Sequence, residues 1–529
     1  MTTITPYRST ARAGRDGFGQ LLHAEWTKFR TVRGWVIGMI VAVLVTAGLG
    51  ALLAKAASPQ CEAQTGSGQQ HAVACGQPDY TVGPGGVLVN DAFNFVRQPL
   101  AGNGSITVQV SSLTSAGGGP IGSQPLVVPW SKAGIIISGG TSPGSAYAAM
   151  MVTGGNGARM QWNYTGDTAG LPGAVSAVSP RWLRLTRDGD TLTGYDSADG
   201  RHWTRVAAVT LAGLPSTVQA GLFVTSPVYS TYSSSSIGSG SGTSTPTKAT
   251  AAFDQVSRTG RWPAGRWAAD YVGAEGSGVA SGIGGYHEVD GRFTVTGSGD
   301  IAPLIAGALN DGPNITVRDY LLGLFVGLIA MAVIAAMFMT AEYRRGLIRI
   351  TLAASPHRLR VLAAKAIVIG AAAFVVGLSS AAGAVLIGTR IAHSAGVDLF
   401  PEPWPTELRI IVGMAALFAV AAVFTLAVAT IVRRSAAAII IVIVTLVIPF
   451  VLSAPPGIPA GLTDWLLRVT PAAAFALQQP APRYYQVAAH YSTGSGYFPL
   501  APWTGFAVLC GWAAVALVLA AYLLRRRDT

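Results

Sequence analysis

Six apolar stretches set the frame for this chain: Trp35–Ala54, Leu321–Thr340, Ala366–Gly388, Ile410–Val432, Ala436–Leu452 and Phe506–Leu524. About 20 residues in a helix, rising 1.5 Å each, cross the ~30 Å hydrocarbon core of a bilayer. In lipid the backbone must satisfy its own polar groups, so such runs fold as helices. Pro449 in the fifth run is compatible with this, because neighbouring helices take up the freed carbonyl. The first run follows a long polar lead and lacks a small-residue cleavage pattern at the usual distance. It is expected to be a retained span and not a signal peptide.

Basic residues orient the spans. Arg8, Arg12, Arg15, Lys28, Arg30 and Arg33 precede the first; Arg344, Arg345, Arg349, Arg358, Arg360 and Lys365 lie between the second and third. Arg433 and Arg434 separate the fourth from the fifth, and Arg525, Arg526 and Arg527 follow the sixth. If six spans alternate, all four clusters share one side, which the positive-inside rule makes cytoplasmic. The expectation is a multi-pass protein of the cell membrane with both termini inside and residues 55–317 extracellular. The net charge of +12 on a chain that is 50% hydrophobic and 11% charged belongs to these loops. It forms no continuous surface for nucleic acid, which is excluded as a partner. Few charges fall within the spans, so no ion-coupled relay is visible.

The segment between the first two spans reads as all-β. Ser105–Val110 alternates, with Ile106, Val108 and Val110 on one face. Gly134–Ser138, Tyr147–Thr153, Arg159–Tyr164, Gln219–Thr225 and Thr250–Val256 read as further short strands. In Pro180–Val209, Leu183 and Leu185 alternate with polar residues, and Asp188-Gly189 and Asp199-Gly200 supply hairpin-turn chemistry. Many short strands with such turns predict a two-sheet sandwich. Gly291–Pro303 either completes that sandwich or ends a stalk. The Ser/Gly tract Ser230–Thr247 reads as a flexible loop or linker and not as a site.

A glycosidase on such a fold needs two carboxylates, yet no Glu occurs from Ala63 to Ala274. Catalysis there is not expected. Trp130, Trp162, Tyr164, Tyr195 and Trp203 could stack on sugar rings, against a simpler reading as core. Asp188, Asp190, Asp196 and Asp199 could ligate calcium, against a simpler reading as turn residues. Cys61 and Cys75 both fall on the outer side and are expected to pair, a closure that chain entropy values at ~3 kcal/mol.

The stretch AEYRRGLIRITLAASPHRLRVLAAKA, Ala341–Ala366, interrupts two apolar runs. Glu342, Arg345 and Arg349 share one helical face, and Leu347, Ile350 and Ala354 another. Ser355-Pro356 then opens a new helix. This segment resembles the first cytoplasmic loop of ABC exporter permeases of the second type, particularly their actinobacterial members. LLHAEWTKFRTVRGW, Leu21–Trp35, resembles their interfacial helix, with Glu25, Trp26, Lys28 and Arg30 as its recognisable residues. FNFVRQPLAGNGSITVQV, KAGIIIS, SAYAAMMV, the WLRL to HWTRV block, AGLFVTS and AAFDQVS resemble a concanavalin A-like, laminin G-like jelly roll. The permease resemblance implies docking of a separate cytoplasmic ATPase on a coupling helix, through Glu342, Tyr343, Arg344, Arg345, Gly346, Arg349, Pro356, Arg358 and Arg360. ATP and magnesium would sit on that partner. None of the five lysines follows a glycine, so the chain carries no Walker A motif.

Together these readings give a polytopic α-helical membrane protein of six transmembrane helices with an inserted all-β sandwich of jelly-roll type. The expected organisation is a cytoplasmic N-terminus with interfacial helix (1–34), a first span (35–54), the sandwich with its linkers (55–317) and a five-helix domain (318–529). That last region holds the coupling helix (341–364) and a re-entrant segment (454–501), whose stripe is Leu462, Trp465, Leu466 and Val469. Gly370, Gly377, Ser380 and Ala381 permit close helix approach, within the chain or to a second permease subunit. The expected role is the permease of an ATP-driven exporter; the alternative is a membrane-anchored receptor for an extracellular glycan.

Overall fold

The computed structural model describes residues 17–56, 81–118, 127–236, 239–273, 284–305, 316–344, 357–394, 399–453, 458–487 and 491–527. Cys61 and Cys75, and with them the expected disulfide, lie outside these residues, as do Arg345, Gly346, Arg349 and Pro356.

Among the described residues, six helices are long and apolar enough to cross a membrane. A lead helix α1 (Phe18–Thr31) precedes the first of them, α2 (Arg33–Ala56). After the β domain a 3-10 turn, Val317–Gly323, enters α3 (Leu324–Arg344), followed by α4 (Arg358–Ser394) and α5 (Trp404–Val432). The fifth span is composite: α6 (Ser435–Val442), a π turn (Ile443–Val447) and α7 (Ile448–Ser453). The wider turn sits just before Pro449, where a missing N–H and a bulky ring disturb the ordinary helical ladder. A short α8 (Ala460–Val469) and a 3-10 segment (Pro471–Gln478) precede the last span, α9 (Pro502–Arg527).

These helices share one core, in which Phe418, Met414 and Leu417 of α5 are fully buried. The small residues of α4 are spent inside the chain. A Cβ on Gly377 would lie 2.9 Å from Phe418 and 3.0 Å from Ala415, and one on Gly370 would meet Val423 at 3.2 Å. Ser380 and Ala381 are buried as well.

The β domain begins with β1 (Val89–Asp91), the long β2 (Phe93–Gly118), β3 (Lys132–Ser138), β4 (Tyr147–Thr153), β5 (Ala158–Trp162) and β6 (Gly166–Ala169). It continues with β7 (Arg181–Asp188), β8 (Thr191–Ser197), β9 (Thr204–Thr210), β10 (Thr217–Thr225), β11 (Tyr229–Ser236) and β12 (Ser239–Thr245). It closes with β13 (Thr247–Arg261), β14 (Ala268–Val272), β15 (Gly285–Val289), β16 (Arg292–Gly297) and β17 (Ile301–Pro303). Thirteen of these strands form one antiparallel sheet folded into two layers. β2 belongs to both: its first part pairs with β10 and β14, its second with β7 and β13.

The alternation read from the sequence is the interlayer packing. Ile106, Val108 and Val110 face Leu183 and Leu185, with Met150, Met160 and Leu222 from the other layer. Gly189 and Gly200 take positive φ, as the Asp-Gly turns require. Gly291–Pro303 belongs to the same sandwich, because β16 pairs with β13. The Ser/Gly tract corrects the reading as a flexible loop or linker: β11 and β12 pair antiparallel from Tyr229 with Thr245 to Ser236 with Ser239, with one register shift between Ser234 and Ser236. Composition gave no hint of it, because serine and glycine lack the apolar side chains whose alternation marks a strand.

One further pairing shapes the domain. β1 and β17, the segments by which the chain enters and leaves the sandwich, form a two-stranded ribbon. The ribbon lies across the outer face of the β2–β10–β3–β4 layer, burying Val89 and Ile301 against Phe93, Phe95, Phe223, Ile136 and Met151.

Candidate functional site

At the end of the bundle away from the sandwich, four charged side chains from three helices meet. Glu25 comes from α1, Glu342 from the last turn of α3, and Lys365 from the first turns of α4. Lys365 Nζ lies 2.6 Å from Glu25 Oε2 and 2.7 Å from Glu342 Oε1. Lys28, one turn along α1 from Glu25, reaches Glu25 Oε1 at 2.7 Å and Glu342 Oε1 at 3.4 Å. Glu25 is 0% exposed and Lys365 1%. Two carboxylates and two ammonium groups give a neutral set, which makes burial of Glu25, Glu342 and Lys365 tolerable, with Lys28 closing the set from its exposed side. Burial works to lower the pKa of Lys28, but its hydrogen bond and charge contact with Glu25, and then Glu342, outweigh this and raise it.

Aromatic rings wall the cluster. Lys365 Nζ sits 4.5 Å from the centroid of Phe338. Phe338 meets Phe29 of α1 and Trp35 of α2 edge-on, both at 5.4 Å. The amphipathic lead helix is thus fastened to the bundle by charge on one side of Phe29 and by rings on the other. Trp26 and Arg30 stay exposed.

The cluster changes the reading of Glu342. The sequence placed it on a docking face; here it points inward, 7% exposed and held by Lys365. Tyr343 lies beside Arg433, whose guanidinium carbon is 5.0 Å from its ring centroid. Arg344 ends α3. Arg358 Nη1 donates to the carbonyls of Leu524 and Arg525 at 3.0 and 3.1 Å, tying α4 to the end of α9. Arg360 is exposed.

Lys365 was counted in the sequence only as a positive-inside residue. A usable signal was present. Glu25 and Glu342 are acidic side chains set among the basic residues that flank the first three spans, and a carboxylate beside lipid needs a cation.

At the opposite end, the sandwich rests on the loop before α9. Gln486 Nε2 donates to the carbonyls of Tyr164 and Thr165 at 3.1 and 3.2 Å. Leu88 packs with Phe400, Leu304 and Ala481. Arg318 Nη1 and Nη2 donate to the carbonyls of Gly494 and Thr493. Glu402 accepts the Val317 N–H at 3.3 Å; burial pushes its carboxyl up to about 7, with that N–H opposing.

In the sandwich, Tyr164 is a node. Its backbone sits at φ 66° after Asn163 at 44°, and its hydroxyl donates to Asp91 Oδ2 of β1 at 2.7 Å. Asp91 also accepts the Gly144 N–H at 2.9 Å. Burial raises the Asp91 carboxyl to about 6, while those two bonds pull it down. Lys132, fully buried, holds the other ribbon strand through Asp300 Oδ1 (2.7 Å) and the Ile301 carbonyl (2.6 Å).

The aromatic candidates are mostly packing residues. Tyr164 is buried, Trp130 underlies Arg159, and Trp203 underlies Arg184 at 3.9 Å. The four aspartates serve local bonds: Asp188 to Asn103, Asp190 to the Gly213 N–H, Asp196 to the Leu171 N–H, and Asp199 to the Arg201 and His202 N–H groups. No cluster of three metal-ligating side chains occurs among the described residues.

Comparison with known proteins gives one family. The profile described as ABC-2 family transporter protein matches residues 21–529. Comparison with curated proteins finds no match. Among solved structures, a functionally unknown protein from Saccharomyces cerevisiae is 14% identical, with TM-score 0.21, over 35% of this chain and 83% of its own. The GH43 BlXynB protein from Bacillus licheniformis is 16% identical, with TM-score 0.20, over 30% of this chain and 28% of its own. Scytalido-glutamic peptidase bound to a transition state analog inhibitor is 9% identical, with TM-score 0.25, over 41% of this chain and 100% of its own. At these scores the likenesses carry no argument about what the sandwich does.

Proposed function

The chain belongs to the ABC-2 transporter family, and from that premise we propose that it is the permease through which a separate cytoplasmic ATPase drives export. As a member of that family it is a multi-pass membrane permease of an ABC transporter. The finer reading concerns how force enters it. Residues 345–356 join α3 to α4, and the four-charge cluster stands at the root of that connection. An ATPase that closes on ATP and magnesium pushes the connection through Arg345, Arg349 and their neighbours. Because Glu342 and Lys365 are locked to each other and to Glu25, the push moves α1, α3 and α4 together.

The cluster is the observation that supports this reading. A loop whose only task was to set topology would need its arginines exposed; it would not need a buried, neutralised junction between three helices. In this reading both termini lie in the cytoplasm and the sandwich outside, as the positive-inside rule supports, and a second permease subunit, identical or not, completes the path.

The test is a mild-detergent pull-down of the tagged protein from native membranes, with ATP hydrolysis assayed in the eluate. A stoichiometric ATPase should be recovered, and Arg345→Ala/Arg349→Ala should lose it while still inserting in the membrane. Clean recovery without an ATPase, or full retention by the double variant, would reject the coupling.

A further inference from the structure

The broad aromatic face of the sandwich is closed by the chain's own ribbon, so a ligand must be met elsewhere. The surface left open is a basic, aromatic corner where β13 gives way to β14. Arg258, Arg261 and Arg266 are exposed there, and Trp262 and Trp267 are half-buried between them. The Arg258 guanidinium carbon lies 5.3 Å from the centroid of each indole, and its Nη1 donates to Gln98 Oε1. Gln98 Nε2 donates in turn to the Gly265 carbonyl at 2.9 Å. Trp267 packs edge-on to Phe293 at 5.4 Å. The corner is therefore a fixed platform.

Its charge is not neutralised locally. Arg97 is paired with Asp270 at 2.6 Å and Arg292 with Asp254 at 3.4 Å. No carboxylate pairs with Arg258, Arg261 or Arg266 among the described residues, and none occurs in the sequence between Val256 and Ala269. Nor does the corner face the bilayer. Arg261 pairs with Ala101, eight residues along β2 from Phe93, or about 26 Å at 3.3 Å per residue. Phe93 adjoins the ribbon that leads to the bundle.

We propose that this corner binds an acidic polysaccharide, a polymer bearing carboxylate or phosphate groups on its sugar rings. Indole faces accept the apolar faces of sugar rings. Arginine forks match carboxylate and phosphate oxygens two at a time. A peptide would need a groove or a free sheet edge, and this surface is the connection between β13 and β14 with its indoles already fixed by Arg258 and Phe293. The inference rests on placing the sandwich outside the cell.

The test uses the full chain in nanodiscs of uncharged phosphatidylcholine. Four probes are compared by interferometry at 50 and 200 mM salt: polygalacturonate, phosphorylated dextran, unmodified dextran and polyglutamate. The proposal expects one or both acidic polysaccharides to bind, at least tenfold more tightly than dextran or polyglutamate, and to weaken with salt. Arg261→Gln/Arg266→Gln, two exposed positions, should weaken binding at least tenfold and flatten the salt response. Equal binding of polyglutamate, equal binding of dextran, no binding of either acidic polysaccharide, or an unaffected double variant would each overturn it. Labelling of Arg266→Cys in intact cells, measured above that of the parent chain with its Cys61 and Cys75, reports the topology separately, so a misplaced sandwich and a wrong ligand give different results.

Discussion

Lys365 sits where water cannot replace a lost partner. Removing it as Lys365→Met leaves the buried Glu25 and Glu342 to share the half-exposed Lys28, two carboxylates on one cation, and such broken buried pairs typically cost about 3–5 kcal/mol. Lys28→Ala should cost far less, because Lys28 is 46% exposed along its side chain and its charge is screened. Chemical denaturation in detergent should rank the two variants in that order; equal effects would mean that the cluster is not a buried junction. Asp91 carries a pH dependence. Its folded pKa of about 6 lies above the ordinary 3.8, so its contribution to stability is complete below about pH 4 and lost as pH rises through 6. Two units correspond to about 3 kcal/mol. Asp91→Asn, which keeps an acceptor for Tyr164 and Gly144, should remove that slope from melts taken between pH 4 and 7. Neither site was legible as a site in the sequence. Glu25, Lys28 and Glu342 were visible as residues, but Lys365 lies 340 positions from Glu25, and single-sequence patterning carries no information on such pairs. Asp91 and Tyr164 likewise come together only through the ribbon.

Elements were more readable, in proportion to their periodicity. The apolar runs and the alternation of Ile106, Val108, Val110, Leu183 and Leu185 encode helices and strands directly. The ribbon was missed because three-residue strands hold too little pattern, and the Ser/Gly hairpin because its sequence carries no apolar alternation. The small residues of α4 were visible, but their partner was not; the structure gives it as α5. Gly377→Val should therefore push α4 from α5 and cost about 1–3 kcal/mol or more. Gly370→Ala meets a Val423 methyl at 3.2 Å and the Ala419 carbonyl at an ordinary 3.9 Å, and it gains up to about 1 kcal/mol of helix propensity, so it should cost less than Gly377→Val. Thermal inactivation of the two variants should separate them; a tolerated Gly377→Val would mean that α4 and α5 are not closely packed.

At the scale of the molecule, the two ends of the bundle have different tasks. One end gathers charge into a junction between three helices, and the other carries the sandwich on hydrogen bonds from Gln486 and a small apolar contact around Leu88 and Phe400. Gln486→Ala should loosen the sandwich against the bundle while leaving the Arg345-dependent recovery of an ATPase unchanged, as read by hydrogen exchange at Tyr164 and Thr165 and by the same pull-down. Loss of the ATPase in that variant would show that the two ends are not independent.

The ribbon has a consequence for descent. The Leu304 N–H donates to the Leu88 carbonyl at 2.8 Å, so the sandwich begins and ends at the same point. Between the first two spans, this large domain replaces what could be a tight turn. A sequence with its two ends so close can be gained, lost or exchanged as a cassette without moving either flanking helix. The membrane scaffold and the sandwich could then evolve on separate schedules.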